Sequence, residues 1–197
     1  FDLFTHRVWV MCGDGDMMEG ISTEAASLAG HLRLSKLCWI YDSNRITIEG
    51  STGLACSDDV RKRFEGYGWN VLEIDGHDYA AIDNALAQAR GQTLRPTLII
   101  GHTVIGKGST KMQGTAECHG APLGAEEVRA VKRNLGFPED RDFYVPDEVR
   151  QIFDARLKQR QALCKEWEGR FSRYQKECPD KAALWKAFQK LEAPKDI

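Results

Sequence analysis

The sequence predicts an α/β domain, a mostly parallel sheet with helices on both faces, followed by a C-terminal helical arm. Three observations carry this prediction. Short apolar runs alternate with small-residue or amphipathic segments through the first two thirds of the 197 residues, the pattern of βαβ units joined by right-handed crossovers. The first two runs end abruptly at acidic or polar turns, and in open α/β sheets the carboxyl ends of the strands are where ligands bind. From Tyr144 onward the composition shifts to long charged helix formers with widely spaced aromatics. The expected division is a partial α/β domain over residues 1–136 and a helical arm over 137–197.

The first strand is Val8 to Cys12, a short apolar run with turn residues after it. Glu19 to Leu32, rich in Ala, Ser and Gly, reads as a helix whose small side chains let it approach a sheet or a partner closely. Leu37 to Asp42 is the second strand. Residues 45–57 have the polar and glycine content of a loop, with Gly50 and Gly53 as turn points. Asp58 and Asp59 open a short helix through Phe64, as acids do at a positive helix end. Trp69 to Ile74 is a third strand, and Asp75-Gly76-His77-Asp78 is a turn capping a helix from Tyr79 to Arg90. Pro96 to Ile100 is a fourth strand. The glycine-rich stretch from His102 to Gly124 has no periodicity, and loops of that length are usually functional or disordered; its position after a strand's carboxyl end favours function. Ala125 to Leu135 is an amphipathic helix. Pro146, Asp147 and Glu148 supply the proline and acids of a first helical turn, and Val149, Ile152, Phe153, Leu157, Leu163 and Trp167 form the apolar stripe of the arm. A shorter helix runs from about Pro179 to Leu191.

The turn after the first strand carries the chemistry. Gly13 and Gly15 remove the Cβ atoms that would hold a ligand away from the backbone, and the helix that follows directs N–H groups at any anion there. A lone carboxylate, Asp14, would repel a phosphate unless a hard divalent cation lay between them, and Mg²⁺ takes few protein oxygens, the rest coming from phosphate and water. Asn44 lies just past the second strand, thirty residues after Asp14, about the length of a βαβ unit that sets parallel strand ends side by side. Asp14 and Asn44 can then share one ion, with a backbone carbonyl such as that of Ile46 completing the protein's share.

The blocks Gly13-Asp14-Gly15-Asp16-Met17-Met18-Glu19-Gly20-Ile21 and Tyr41-Asp42-Ser43-Asn44-Arg45-Ile46-Thr47-Ile48-Glu49-Gly50 resemble the thiamine diphosphate motif of the transketolase family. Phe64-Glu65-Gly66-Tyr67-Gly68-Trp69, Asp75-Gly76-His77-Asp78, Ile105-Gly106-Lys107-Gly108-Ser109 and His119-Gly120-Ala121-Pro122-Leu123-Gly124 extend the resemblance in the same order. It implies a thiamine diphosphate-binding fold with Mg²⁺ or Ca²⁺ held by Asp14, Asn44 and the Ile46 carbonyl. The Gly13–Gly15 turn would meet the diphosphate through the Gly15 N–H. His119 would reach the diphosphate and a substrate hydroxyl, Glu19 would join a carboxylate network across a dimer interface, and Ile105 would pack near the thiazolium ring. The implied reaction moves a two-carbon ketol unit from a ketose phosphate to an aldose phosphate. The charged helical end resembles the arm before a pyrimidine-binding domain, to be supplied by the same or a partner chain. The groups that activate the cofactor and grip substrate phosphate belong to parts not found here, so no turnover is expected of this chain alone. His102 and Lys107 depart from the family pattern.

Composition bounds the alternatives. A net charge of −2 argues against a general nucleic-acid partner, and no apolar stretch approaches the roughly 20 residues of a membrane span. Six cysteines without C-x-x-C spacing fit reduced thiols in the cytoplasm. The first strand lies so close to Phe1 that the chain is expected to begin inside a domain. A phosphatase of the haloacid-dehalogenase type would need an Asp-x-Asp motif upstream of Gly13, and none is present. Two other readings stand: a related thiamine diphosphate enzyme such as dihydroxyacetone synthase or 1-deoxyxylulose-5-phosphate synthase, and a non-catalytic binding or scaffold module with a relict site. The Gly-Ala-Pro-Leu-Gly and Phe-Glu-Gly-Tyr-Gly-Trp blocks favour transketolase.

Overall fold

Four parallel strands form the frame: β1 (Val8–Gly13), β2 (Leu37–Ser43), β5 (Asn70–Asp75) and β6 (Thr97–His102). Their order is β1-β2-β6-β5. In a computed structural model, residues 2–191 are described. They fall into two compact units, one of residues 6–141 and one in which residues 2–5 group with 142–191.

Alternation along the strands sends side chains to two faces. On one face Trp39, Tyr41, Val71, Leu98 and Ile100 pack with Met17 of α1 (Asp14–Met18), Ala26 and Ala29 of α2 (Gly20–His31), and Phe64 of α3 (Val60–Gly66). On the other, Cys38, Ile40, Leu72, Ile74 and Ile99 meet Ala85, Leu86 and Ala89 of α4 (Tyr79–Gly91). Helices therefore cover both faces of a parallel sheet, as the alternating pattern predicts.

The first face is keyed by aromatics. Trp39, Phe64 and Trp69 meet edge to face at centroid distances of 5.1–5.7 Å, each such pair contributing about 0.5–1.5 kcal/mol beyond simple burial. The Trp69 indole donates to the Ala26 carbonyl at 2.8 Å. Gly30 permits this approach, since a Cβ there would lie 1.9 Å from the Tyr67 carbonyl oxygen.

Helix starts follow the expected chemistry. Asp59 accepts from the Lys62 N–H, and Asp78 from those of Ala80 and Ala81, satisfying donors that a helix leaves open. Two segments differ from the sequence reading. The stretch expected to be a loop over 45–57 contains an antiparallel pair, β3 (Ile46–Thr47) and β4 (Gly50–Ser51), and a 3₁₀ turn over Thr52–Leu54. The helix expected from Glu19 is preceded by a separate turn of helix, α1, because Glu19 is extended at φ −68° and ψ 138°.

After α5 (Ala125–Asn134), the second unit holds α6 (Asp147–Glu177) and α7 (Pro179–Gln189). Within it the Trp167 indole donates to the Leu3 carbonyl at 3.0 Å, and Phe4 meets Trp185 at 4.7 Å. The stripe residues Ile152, Phe153, Leu157 and Leu163 are exposed. No described helix is long and apolar enough to cross a membrane.

Candidate functional site

The carboxyl ends of β1 and β2 lie side by side, Gly13 in register with Asp42, which brings the two motif blocks together. Asp14, the first residue of α1, is buried. Its Oδ1 accepts from the Tyr41 hydroxyl at 2.6 Å, and its Oδ2 from the backbone N–H groups of Asn44 and Arg45 at 3.0 and 2.9 Å. Asn44 Oδ1 in turn accepts from the Ile46 N–H at 3.0 Å. Asp14, Asn44 and Ile46 thus form one hydrogen-bonded chain of three residues.

Local sequence explains how the turn is held. The Gly13 N–H donates to Asp16 Oδ2 at 2.8 Å, and the Ser22 hydroxyl donates to the Asp16 carbonyl at 2.6 Å. Asp16 is accordingly a cap of the turn. Arg45 takes a φ of +63°, a left-handed conformation uncommon outside glycine, and this reversal lets both Asn44 and Arg45 aim N–H groups at one carboxylate oxygen. Tyr41 was not singled out by its sequence. Its phenol is pushed up from its ordinary pKa, first by burial and then by donating to Asp14, with a hydrogen bond to Ser43 opposing. The Tyr41 proton therefore stays on the phenol and points at Asp14.

A ligand's fit can be tested on these atoms. A carboxylate or amide oxygen offers two lone pairs, so Asp14 Oδ1 and Asn44 Oδ1 each keep one beyond the bond already made. Both are hard oxygen donors suited to Mg²⁺ or Ca²⁺. Gly15 gives a second test. A Cβ there would meet no atom within 4 Å, and Gly15 is not among the glycines with positive φ, so neither packing nor backbone conformation of the chain calls for glycine at this position. The space is free for an outside group, and the residues fit a metal-bridged diphosphate.

The remaining candidates lie around this core. The 3₁₀ turn Ala116–His119 lies against β3, the short strand that begins at Ile46. His119 and Glu19 are exposed, and Ile105 is half-buried. The long stretch after β6 is ordered from its root. The Thr103 hydroxyl donates to Asp42, the Thr103 N–H to the Ser43 carbonyl at 3.2 Å, and the Val104 N–H to His77 Nε2 at 3.0 Å. His77, expected only as a turn residue, is thus an anchor of the loop. His102 turns elsewhere, its Nε2 lying 2.6 Å from Glu73 Oε1, while Arg61 Nε donates to Glu73 Oε2 at 2.7 Å. The Arg61 guanidinium first, and His102 next, hold the Glu73 carboxyl below its usual range. A cavity of about 530 Å³ opens beside Asp14, with Tyr41, Arg45, Arg63 and His102 in its wall.

A parallel sheet covered by helices on both faces, with a buried Asp hydrogen-bonded to the backbone at the next strand end, defines an α/β domain whose candidate site lies at the carboxyl ends of its strands. The family profile described as "Transketolase, thiamine diphosphate binding domain" matches residues 1–194, and the chain belongs to the transketolase family. It is 49% identical to the chromosomal transketolase of Cupriavidus necator over 88% of this chain and 26% of that protein. It superimposes on transketolase from Leishmania mexicana with a TM-score of 0.88 at 37% identity, over 100% of this chain and 29% of that one. A Pichia stipitis transketolase solved in complex with sedoheptulose-7-phosphate matches at a TM-score of 0.84 and 38% identity, over 96% of this chain and 28% of that one. The chain therefore spans between a quarter and a third of the length of these relatives.

Proposed function

We propose that this chain is the diphosphate anchor of a transketolase, binding Mg²⁺ or Ca²⁺ and thiamine diphosphate for transfer of a two-carbon ketol unit between sugar phosphates. The observation that carries the reading is the chain of bonds from Asp14 through Asn44 to Ile46, which gathers three oxygen-bearing residues at adjacent strand ends. In it Asp14, Asn44 and the Ile46 carbonyl hold the cation. The open backbone at Gly15 lets its N–H meet the diphosphate. When bound, thiamine diphosphate supplies an electron sink for breaking a carbon–carbon bond.

The chain's own groups bind and orient. Tyr41 pins Asp14 from within the protein, fixing the carboxylate before any ligand arrives. His119, on the turn that lies against β3, is a hydrogen-bond partner for the diphosphate and for a substrate hydroxyl. Ile105 supplies an apolar contact for the cofactor ring. Glu19 is exposed at the start of α2, on which Ile21 and Leu28 are 71% and 58% exposed; such apolar exposure supports a partner surface on α2 and a dimer in the complete enzyme. The pyrimidine-binding domain comes from elsewhere in the same or a partner chain. Sugar phosphates are the substrates of that assembly, in the cytoplasm.

Calorimetric titration of the chain with thiamine diphosphate, with and without Mg²⁺, tests this reading. Mg²⁺-dependent binding that Asp14→Asn abolishes is the expected result, with no turnover until a pyrimidine-binding domain is added. Absence of binding even with that domain present would leave only a relict scaffold.

A further inference from the structure

Besides Asp14, a second carboxylate is buried in the domain. Glu127, in the first turn of α5, is buried although it is ionisable. Its Oε1 accepts from the Ser109 hydroxyl at 2.6 Å and from the Thr110 and Lys111 N–H groups at 2.5 and 3.1 Å. The Thr110 hydroxyl lies 3.0 and 3.1 Å from its two oxygens. A glutamate in this helical position commonly turns back to the start of its own helix. Here the side chain is committed to a loop sixteen to eighteen residues upstream.

The bonds continue from that loop toward His119. Ser109 Oγ accepts from the Met112 N–H at 3.0 Å, and the Met112 carbonyl accepts from the Thr115 hydroxyl at 2.9 Å. Thr115 is the residue from which the turn Ala116–His119 starts. The Gly114 N–H closes onto the Ile105 carbonyl at 2.9 Å. Gly106, at φ +64°, lies so near Cys118 that a Cβ would sit 2.4 Å from its Sγ. From the other side, the Asn134 amide donates to the Gly108 carbonyl at 2.8 Å, and Leu135 packs on Gly108.

We propose that Glu127 is a positioning residue, whose carboxylate closes residues 105–127 into a lasso and so fixes the turn that presents His119. The claim rests on the reading of His119 as a cofactor-side residue. Its physical basis is that a glycine-rich segment has a large conformational entropy to lose, and four donors from three consecutive residues converge on one carboxylate to hold it. Charge-assisted bonds of this kind are the strong ones.

The test uses the whole 197-residue chain with Glu127→Ala, Glu127→Gln and Ser109→Ala. Two quantities are read by NMR, the His119 imidazole resonances and amide exchange across residues 105–119, and cofactor affinity is read by calorimetry with Mg²⁺ and thiamine diphosphate. Glu127→Ala is expected to leave β2 and β6 protected, raise loop exchange at least tenfold, shift the His119 signals to those of a mobile side chain, and weaken cofactor binding at least tenfold. Glu127→Gln keeps a carbonyl oxygen where most of the donors point and should restore most of the parent behaviour. Unchanged His119 signals and loop exchange in Glu127→Ala, with the sheet intact, overturn the proposal. If that variant does not fold, Ser109→Ala decides by the same two NMR readouts. A parent chain that binds no cofactor, yet shows the expected NMR response to Glu127→Ala, keeps the clamp and loses the cofactor reading.

Discussion

Single residues carry the site, and three of them yield sharp expectations. Gly15 sits within a helical turn with open space where a side chain would be. Gly15→Ala should therefore leave the unfolding free energy unchanged or raised by up to about 1 kcal/mol, because alanine is the better helix former. The same change should weaken Mg²⁺–thiamine diphosphate binding in calorimetry; equal affinity would remove the diphosphate from this position. Tyr41→Phe deletes a hydrogen bond to a charged acceptor, worth about 1.5–3 kcal/mol, and urea denaturation should show a loss of that size. Glu127 titrates in a defined window. The Ser109 hydroxyl, with the Lys111 N–H and the Thr110 groups, lowers its pKa from 4.5 to about 2. The unfolded state then binds more protons than the folded one between those values, so the contribution of Glu127 to stability is full above about pH 4.5 and is lost as pH falls toward about 2. Urea midpoints measured from pH 6 to 2.5 should fall less steeply for Glu127→Gln than for the parent; identical slopes would deny the effect. Asp14 and Asn44 were candidates in the sequence because their residue types and spacing suit a cation, and what the structure adds is their direct contact through the Asn44 N–H. Tyr41, His77 and Glu127 were not, because the partner of each is set by chain reversals that no local signal announces.

Elements were read with uneven success, and the reason is range. Strands β1, β2, β5 and β6 and helices α3 to α7 follow from apolar runs and capping acids, which are local properties. The pair β3–β4 has two residues in each strand, too short for alternation to register, and its entry depends on a left-handed Arg45 where a glycine or asparagine would have signalled a turn. The break between α1 and α2 depends likewise on one extended residue, Glu19. Packing between elements adds a further prediction. In the α2 contact with the segment after α3, the Gly30 position faces the Tyr67 carbonyl, a backbone atom that has no rotamer to move. Gly30→Ala should cost about 1–3 kcal/mol or more as overpacking, despite the better helix propensity of alanine. A thermal melt unchanged from the parent would show that α2 can slide away at little cost.

At the scale of the whole molecule, the candidate site residues of this chain all fall in the unit of residues 6–141. Ligand linkage should show this. With free Mg²⁺–thiamine diphosphate at a hundred times its Kd, that unit should gain about 2.7 kcal/mol. Amide exchange should slow at the β1 and β2 ends and across residues 103–119, while α6 and α7 respond less; uniform slowing over both units would contradict the assignment. The sequence by itself determined the α/β class, the helical end, the family resemblance and the pair Asp14–Asn44, because hydrophobic period, capping residues and motif spacing are written in neighbouring residues. Tertiary structure alone decided the strand order β1-β2-β6-β5, the engagement of Asp14 by Tyr41 and Arg45, and the closure of the 105–127 segment by Glu127. These depend on which distant groups satisfy one another's hydrogen bonds once water is excluded, and that pairing is a property of the packed chain.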